Sequence, residues 1–280
     1  MKGVVFGSGF LGTRIGNELG YGIVPIEEVD VLDIVTLRNF LDNVNSDVVI
    51  NAVGKTGGPG AIGIDWCETN KEETIQANVS AAINLSVECA KRGIYFVHFG
   101  SGCVYYGDNN GKGYSEEDEP NFYGPQFYAK TKIDAERVLK NLPGLILRLR
   151  MPIDDRPHLR NLIDKLRGYA KVIDIKNSMT TIPHMISAMK ILIKGREQGI
   201  YNFVNPGTIS AVEIMQMYKE IVNPVHEFGI MSLKELDAIT LGKRSNCKLN
   251  TEKLKAKVEM PEIHEAVREC LKRYKENMQK

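Results

Sequence analysis

The chain has 280 residues, enough for about two domains or for one domain with a large elaboration. Apolar residues make up 43% and charged residues 25% of it, which is typical of a globular protein and excludes disordered, collagen-like and coiled-coil classes. Because 36 Lys and Arg residues nearly balance 35 Asp and Glu residues, the net charge of +1 provides no overall attraction for nucleic acid or an anionic membrane.

The first elements along the chain are a strand, a glycine-rich loop and a helix. Gly3 to Phe6 is a short apolar run, and apolar residues at helical spacing follow the loop. A Gly-x-Gly-x-x-Gly pattern is informative in this position, because there it binds the pyrophosphate of a dinucleotide. Gly7 permits the turn, Gly9 lets the backbone approach the phosphates, and Gly12 allows close packing of helix on strand. We therefore expect a dinucleotide cofactor.

The choice between NADPH and NADH stays open at this stage. The predicted second strand, Ile23 to Ile26, is followed by Glu27 and Glu28, which could hold the ribose hydroxyls of NADH. Arg14 could instead bind the 2′-phosphate of NADPH. Ordinary surface charge explains all three side chains equally well.

Strands and helices continue to alternate through the first 150 residues. Strands are predicted at Asp47 to Val53, Ile94 to Phe99 and Leu145 to Leu149, and a helix at Gln126 to Asn141. Another long helix is predicted after Thr69 and Glu72, which have capping-box spacing; its apolar stripe is Ile75, Val79, Ile83, Val87 and Ala90. This alternation predicts an α/β protein in which residues 1–150 form a Rossmann-like, doubly wound parallel sheet that binds the dinucleotide.

The pattern is less regular after Met151. Helices are predicted at Leu159 to Tyr169 and Pro183 to Lys194, a strand at Val172 to Ile175, and extended chain at Tyr201 to Val204. We expect residues 151–280 to form mainly a smaller α/β substrate-binding lobe, partly interleaved with the first domain because some segments return to it.

Other classes of site and location find no support in the sequence. Five cysteines, an odd number without CxxC spacing, argue against a disulfide framework or a metal site. There is no run of about 18 apolar residues, and the N-terminus has no pattern typical of a targeting segment. We expect a cytoplasmic protein whose partners include neither nucleic acid nor a membrane.

A Tyr and a Lys four residues apart form a candidate proton-transfer pair. Tyr128 and Lys132 lie at the start of a predicted helix, so both side chains project from one face. A neighbouring ammonium stabilises phenolate, which makes a phenol a better proton donor to a developing alkoxide. Ser101, at the end of the strand that begins at Ile94, could hydrogen-bond the same oxygen.

In this order the residues resemble the extended short-chain dehydrogenase/reductase family. The shared features are the glycine loop, Asn51-Ala52, Asn78-Val79, Ser101 and Tyr128-x-x-x-Lys132. Within the family the chain is most similar to the 4-keto-6-deoxy-sugar nucleotide reductases, above all the bifunctional 3,5-epimerase/4-reductases of UDP-L-rhamnose synthesis. Similar stretches run along almost the whole chain and include Asp65-Trp66-Cys67-Glu68, Leu147-Arg148-Leu149-Arg150-Met151-Pro152-Ile153 and Arg244-Ser245-Asn246.

The resemblance implies hydride transfer from NADPH, or from NADH, to C4 of a keto sugar. Tyr128 would donate the proton, Lys132 would bind ribose and tune Tyr128, and Ser101 would bind the carbonyl oxygen. The implied cofactor-binding residues are Gly7, Gly9, Phe10, Leu11, Gly12, Asp33, Ile34, Asn51, Ala52, Val53, Tyr128, Lys132, Pro152 and Ile153. The implied substrate-binding residues are Asn121, Arg160, Asn161 and Arg244.

The bifunctional group also implies an epimerisation before reduction. Inverting C3 and C5 beside a C4 ketone needs a base on one face of the sugar and an acid on the other. Cys103 and Lys165 match the Cys and Lys that the bifunctional group uses for this. Without the resemblance, simple packing of Cys103 and solvation of Lys165 would be the expected roles.

The function we predict is NAD(P)H-dependent 3,5-epimerisation and 4-reduction of UDP-4-keto-6-deoxy-glucose to UDP-L-rhamnose. One alternative is a nucleoside-diphosphate 4-keto-6-deoxy-sugar 4-reductase without epimerase activity, and another is a non-catalytic regulatory subunit with a reductase fold. With one glycine loop and one Tyr/Lys pair, the chain would need a separate 4,6-dehydratase to supply its substrate. A homodimer formed through two long helices stays open, as does the choice of uridine or thymidine.

Overall fold

The computed structural model describes residues 1–58 and 63–279. The strands are β1 (Gly3–Phe6), β2 (Gly22–Val24), β3 (Val48–Asn51), β4 (Tyr95–Ser101), β5 (Leu145–Leu149), β6 (Lys171–Ile173), β7 (Gly199–Asn202) and β8 (Gly229–Met231). The α-helices are α1 (Phe10–Leu19), α2 (Ile34–Asn43), α3 (Trp66–Thr69), α4 (Lys71–Ile75), α5 (Ala81–Lys91), α6 (Phe127–Leu139), α7 (Leu162–Arg167), α8 (Ile182–Lys194), α9 (Ala211–Ile221), α10 (Leu233–Ile239), α11 (Glu252–Lys255) and α12 (Ile263–Asn277). None of these helices is long and apolar enough to cross a membrane.

Six strands form one parallel sheet in the order β2-β1-β3-β4-β5-β7. The chain leaves β1 for β2 on one side and returns to β3 on the other side. The carboxyl ends of β1 and β3 therefore flank the topological switch point, which is where open α/β sheets bind ligands. The predicted Rossmann-like, doubly wound α/β fold is confirmed. Among the described residues, the one strand that lies beyond β1 at that edge of the sheet is β2, which is three residues long.

Both faces of this sheet are covered by helices, which explains why its central strands are apolar along their whole length. On one face, α1 and α8 pack against the sheet through residues such as Ile15, Met185 and Met189. On the other face, α2, α5 and α6 pack through residues such as Leu37, Leu85 and Leu139. Helix α8 and strand β7 lie in the second half of the chain, yet α8 packs against this first sheet and β7 is its last strand.

The long helix after β3 differs from its prediction in two ways. Thr69 does not form a capping box with Glu72, because Thr69 ends α3 and donates to Trp66 O, while α4 begins after Asn70. The helix contains a π-helical turn, Gln76–Ser80, before it continues as α5.

The apolar stripe predicted on that helix does not form its buried face. Ile75 is 43% exposed, and the other stripe residues are half-buried. The buried positions are largely small or polar residues: Asn78, Ala81, Ala82, Leu85, Ser86, Glu88 and Cys89. Small side chains let the helix lie close to its neighbours, whereas the pattern analysis gave most weight to the large apolar ones.

A second lobe forms around a two-stranded parallel sheet of β6 and β8. Its core combines α7, α9 and α12 through residues such as Ile163, Met215 and Leu271. Helix α7 is shorter than the predicted Leu159 to Tyr169, because the Asn161 side chain caps its first turn by accepting from Ile163 N.

A buried ion pair joins the main sheet to α6. Arg148 on β5 donates to both carboxylate oxygens of Glu136, at 2.8 and 2.7 Å, and both side chains are almost completely buried. Arg148 also donates to the Tyr105 hydroxyl at 3.0 Å. Two charges buried in this way depend on one another, because removing either leaves the other unpaired in a low-dielectric interior.

We expect Glu136→Gln to lower the free energy of unfolding by roughly 3–5 kcal/mol, because it leaves the buried Arg148 charge without its counter-ion. The measurement is urea unfolding followed by circular dichroism. The control is Asp134→Asn on the same helix, where the partner Arg137 lies 3.9 Å away and both side chains are well exposed. This control is expected to change stability by less than about 1 kcal/mol. Equal losses in the two variants would contradict the prediction.

Candidate active site

The glycine loop lies at the carboxyl end of β1, beside the switch point. Gly7 has φ +101°, a conformation that favours glycine, and a side chain there would meet the backbone of Ala52 and Val53 at 3.0 Å. A Cβ on Gly12 would lie 1.8 Å from Gly7 O, so this position must be glycine. A Cβ on Gly9 would meet no atom of the described residues within 4 Å. Packing therefore explains two of the glycines, and the space beside the third is open to a ligand that approaches the backbone closely.

The first turn of α1 suits an anionic group. The N-cap of this ten-residue helix is Gly9, which has no side chain with which to cap the first N–H groups. The first backbone N–H groups of a helix lack internal partners and carry partial positive charge, so they bind phosphate well. Together with the three glycines, this turn fits the pyrophosphate of a dinucleotide.

The other side of the switch point is the loop after β3. Asn51 is buried; its Oδ1 accepts from Val53 N at 2.9 Å and its Nδ2 lies 3.0 Å from His98 Nδ1. Burial and the nearby Lys132 charge hold the pKa of His98 well below its ordinary value, so the ring is neutral and accepts from Asn51. The Asn51 side chain therefore shapes the loop from inside, and Ala52 and Val53 form its half-buried surface.

Asp33 occupies the N-cap of α2. Its carboxylate accepts from Val35 N, Thr36 N and the Thr36 hydroxyl, and these hydrogen bonds lower the pKa of Asp33. The side chain thus has a structural role, and contact with adenine would fall to the backbone and to the half-buried Ile34.

The suggested role of Arg14 as a ligand of a 2′-phosphate is wrong. Arg14 is buried, donates to Asp154 at 3.2 Å and to Asp155 at 3.2 Å, and also pairs with Glu18. Its guanidinium is therefore neutralised inside the protein, where it ties α1 to the loop that follows β5. Burial raises the pKa of Asp154 to about 6, although the Arg14 charge opposes this shift.

Ser101, Tyr128 and Lys132 lie together at the carboxyl end of β4. Ser101 is its last residue, and its side chain lies near the Tyr128 phenol. Burial raises the pKa of Tyr128 above its ordinary value, so the phenol is protonated at neutral pH. Lys132 Nζ donates to Phe99 O at 2.7 Å, and burial lowers the pKa of Lys132 to about 8. A phenolic acid, a hydroxyl and a buried ammonium are thus available at one place.

Two residues to which the sequence analysis gave no role position α6 and the neighbouring loop. Glu68 Oε1 accepts from Phe127 N at 2.7 Å and so caps α6 one residue before Tyr128. Asn78, inside the π-helical turn, accepts from Lys55 N at 2.7 Å and donates to Thr131 Oγ1 at 3.2 Å. The only signals in the sequence were their places in stretches shared with the family.

Cys103 differs from the other four cysteines. Cys67, Cys89, Cys247 and Cys270 are buried, and burial raises the pKa of each thiol. Cys103 is only half-buried, and its backbone N–H donates to Ser101 Oγ at 3.1 Å. Arg150 Nη1 donates to Cys103 Sγ at 3.3 Å. The thiol next to the candidate acid thus has a guanidinium group as its hydrogen-bond donor.

Lys165 lies on α7, close to Arg160 and His158, which contact the loop after β3 and the start of α1. Burial lowers the pKa of Lys165, and the nearby Arg160 charge lowers it further. Arg160 Nη1 donates to Thr56 Oγ1 at 3.0 Å, and the His158 ring stacks on Phe10 at 4.5 Å. Within the described residues, Lys165 Nζ makes neither a hydrogen bond nor an ion pair.

Arg244 and Asn121 are partly committed to other protein groups. Arg244 forms a bidentate ion pair with Asp65, at 2.8 and 2.7 Å, which lowers the pKa of that carboxyl. It is about one-quarter exposed, and its Nε is not used in this pair. The Asn121 amide accepts from Tyr106 N at 2.7 Å and donates to Tyr106 O and to the Tyr114 hydroxyl.

The structure favours structural roles for two further residues, Asn161 and Ile153, that were expected to bind ligands. The buried Asn161 amide accepts from Asp154 N and Ile163 N and donates to Asp154 O and Arg156 O, so all its hydrogen-bonding positions are used. The Ile153 side chain lies in the core of the second lobe, and its backbone pairs with Thr180 O and Ile182 N. Pro152 remains half-buried just after Met151, whose φ of +44° turns the chain there.

A dinucleotide-type glycine loop at the switch point, with Ser101, Tyr128 and Lys132 beside it, defines the short-chain dehydrogenase/reductase class. A family model described as the RmlD substrate binding domain matches residues 1–276, and the chain belongs to that family.

Relatives and solved structures resemble the chain over most of its length. A bifunctional dTDP-4-dehydrorhamnose 3,5-epimerase/dTDP-4-dehydrorhamnose reductase of Arabidopsis thaliana is 39% identical over 230 residues, which is 80% of this chain and 74% of the relative. The crystal structure of the L780 UDP-rhamnose synthase of Acanthamoeba polyphaga mimivirus has a TM-score of 0.91 and 31% identity, covering 98% of this chain and 99% of that one.

A dTDP-4-dehydrorhamnose reductase of Bacillus anthracis, solved in complex with NADP, has a TM-score of 0.80. At 19% identity, over 98% of this chain and 99% of that one, the likeness shows the common fold. The chain also spans 34% to 40% of the length of three longer, trifunctional relatives of Arabidopsis thaliana.

We expect Gly9→Ala to weaken dinucleotide binding at least tenfold while changing the free energy of unfolding by less than about 1 kcal/mol, because the added methyl group meets no protein atom. Binding is measured by fluorescence of the reduced dinucleotide, and stability by urea unfolding. The matched control is Gly22→Ala on β2, where the nearest atom lies at an ordinary 3.6 Å. Unchanged affinity in Gly9→Ala would remove the loop from the binding site.

Proposed function

We propose that this protein reduces C4 of a nucleoside-diphosphate 4-keto-6-deoxy-hexose with NADPH, after inverting C3 and C5 of the same sugar to give UDP-L-rhamnose. The observation that carries this proposal is the convergence of Ser101, Cys103 and Tyr128 at the end of β4. The relatives whose names include reductase, epimerase or UDP-rhamnose synthase support the same activities.

The glycine loop fits NADPH, and the Bacillus anthracis reductase was solved in complex with NADP. NADH would fit the same loop. Gly7, Gly9 and Gly12 with the first turn of α1 would bind its pyrophosphate, Asp33 and Ile34 would approach adenine, and Pro152 would lie beside the nicotinamide. When bound, the reduced nicotinamide supplies the hydride. The residues that would face it across the switch point are Ala52 and Val53.

In the reduction, Tyr128 would donate its phenolic proton to the sugar oxygen at C4. The raised pKa of Tyr128 keeps that proton in place until negative charge develops on the substrate oxygen. Ser101 would hydrogen-bond the same oxygen, and Lys132 would stabilise the phenolate that remains.

In the epimerisation, Cys103 would act as the base and Lys165 as the acid on the opposite face. The lowered pKa of Lys165 makes its ammonium a readier proton donor. Arg160 and Arg244 would contact the sugar and the diphosphate, for which guanidinium groups are well suited. We further propose that a separate 4,6-dehydratase supplies the ketone.

We expect wild-type protein with UDP-4-keto-6-deoxy-glucose and NADPH in heavy water to produce UDP-rhamnose with deuterium at both C3 and C5. Mass spectrometry and sugar analysis identify the product. Tyr128→Phe should lower the reduction rate by about 10²–10⁴, because it removes the proton donor, while deuterium uptake continues. Cys103→Ser should abolish deuterium uptake, yet it should still reduce sugar that has already been epimerised.

Other outcomes would favour the alternatives. Oxidation of NADPH by the wild type without deuterium uptake would leave a 4-reductase that has no epimerase activity. Binding of NADPH without turnover of either a uridine- or a thymidine-linked sugar would favour the regulatory subunit.

We expect kcat for the reduction to be level below pH 8 and to fall above it. The pKa of Lys132 is lowered to about 8, so its charge, which stabilises the phenolate, is present below that pH and lost above it. The measurement is kcat at saturating substrate between pH 6 and pH 10. In Lys132→Met, kcat should be low at every pH and should not decline above pH 8. A decline of kcat retained in this variant would assign the titration to another group.

A further inference from the structure

Arg150 is a buried cation whose hydrogen-bond partners are all neutral. It directly follows β5, and its side chain is 1% exposed. Its guanidinium donates to Ser245 Oγ at 2.9 Å, to Ser245 O at 2.6 Å, to Asn177 Oδ1 and to Cys103 Sγ. In the part of the chain that the structure describes, no carboxylate lies within 4.0 Å of it. By contrast Arg148, two residues earlier, is bound by the Glu136 carboxylate.

A buried charge is costly unless it is paired, so the neutral surroundings of Arg150 need an explanation. Among the groups that it contacts, the Cys103 thiol is the one whose reactive form is an anion. Cys103 is also half-buried and therefore open to a substrate, whereas the partners Ser245 and Asn177 are buried.

The guanidinium is held rigidly in this place. Four hydrogen bonds fix its terminal nitrogens, and the Arg150 backbone pairs with Thr180 through N–H to Oγ1 at 3.1 Å and through O to N–H at 2.8 Å. The positive charge at Cys103 is thus pre-organised, and it does not depend on a mobile side chain.

We propose that Arg150 is a positioning residue that holds Cys103 as a thiolate and so prepares it as the base of the epimerisation. This inference rests on the proposed function. The thiolate takes a proton from the carbon next to the ketone, so that an S–H bond forms, the C–H bond breaks and its electron pair moves to the carbonyl oxygen as an enolate.

Lys165 then completes the inversion. Its ammonium gives a proton to the opposite face, so that an N–H bond breaks, a C–H bond forms and the ketone returns. Before the next inversion, Cys103 releases its proton to solvent and Lys165 takes one up. Over the full cycle no net proton or electron is gained, and Arg150 stays charged throughout.

The test measures alkylation of the full-length protein by iodoacetamide between pH 5 and pH 10. Because the other cysteines are buried, Cys103→Ser should abolish the rapid reaction and so identify its site. In Arg150→Met the midpoint of the rate profile should rise by about one pH unit or more, because the thiolate loses its positively charged neighbour. At pH values above both midpoints the variant should react slightly faster than the wild type, because a more basic thiolate is a stronger nucleophile.

A second variant, Arg150→Gln, removes the charge but keeps hydrogen-bonding groups, and it replaces Arg150→Met if that variant does not fold. The same upward shift of the alkylation midpoint is expected. The matched control is Arg268→Met, which removes an exposed positive charge paired with Glu220 and should leave the profile unchanged. An unchanged midpoint in either folded Arg150 variant would overturn the inference.

The alkylation readout is independent of turnover. A shifted midpoint in a protein that takes up no deuterium would sink the epimerase function and keep the link between Arg150 and the thiolate. Deuterium uptake by the wild type with an unshifted midpoint in the Arg150 variants would keep the epimerase function and sink the link between Arg150 and the thiolate.

Discussion

The buried pair of Arg148 and Glu136 is the constraint on which the arrangement of the site depends. One face of α6 carries Tyr128, Lys132 and Glu136 at intervals of four residues. The ion pair that fixes Glu136 against β5 therefore also fixes the positions of Lys132 and Tyr128. Glu136 has an electrostatic effect as well, because its charge raises the pKa of Lys132 and partly offsets the burial that lowers it. A structural ion pair thereby helps to keep the neighbouring ammonium charged.

The sheet, the glycine loop and α6 could be predicted because their signals are local. Buried parallel strands are apolar along their whole length, and three glycines between a strand and a helix have a single common use. The buried face of the long helix after β3 could not be predicted in this way. Its close packing depends on small residues such as Ala81 and Ala82 and on a π-helical turn, neither of which produces a strong apolar stripe.

The candidate site shows the same division between local and distant information. The positions of Ser101, Tyr128 and Lys132 could be read from spacing and resemblance. The hydrogen-bond partners could not, because they are far away in the chain: Arg14 binds Asp154, 140 residues later, and Arg150 binds Ser245, 95 residues later. Whether a polar side chain is free to bind a ligand depends on such partners, and this is why the sequence left the role of Arg14 open.

The completion of the first sheet by β7 has a consequence for synthesis of the chain. Strand β5 ends at Leu149, but its neighbour begins only at Gly199, about 50 residues later. At roughly 5–20 residues per second, the ribosome needs about 3–10 s to produce that segment. During this interval the nascent N-terminal half has an open, apolar sheet edge, which is prone to pair with other chains. The first sheet is therefore complete only after the second half of the polypeptide has been made, and this interval is when a chaperone would be of most use.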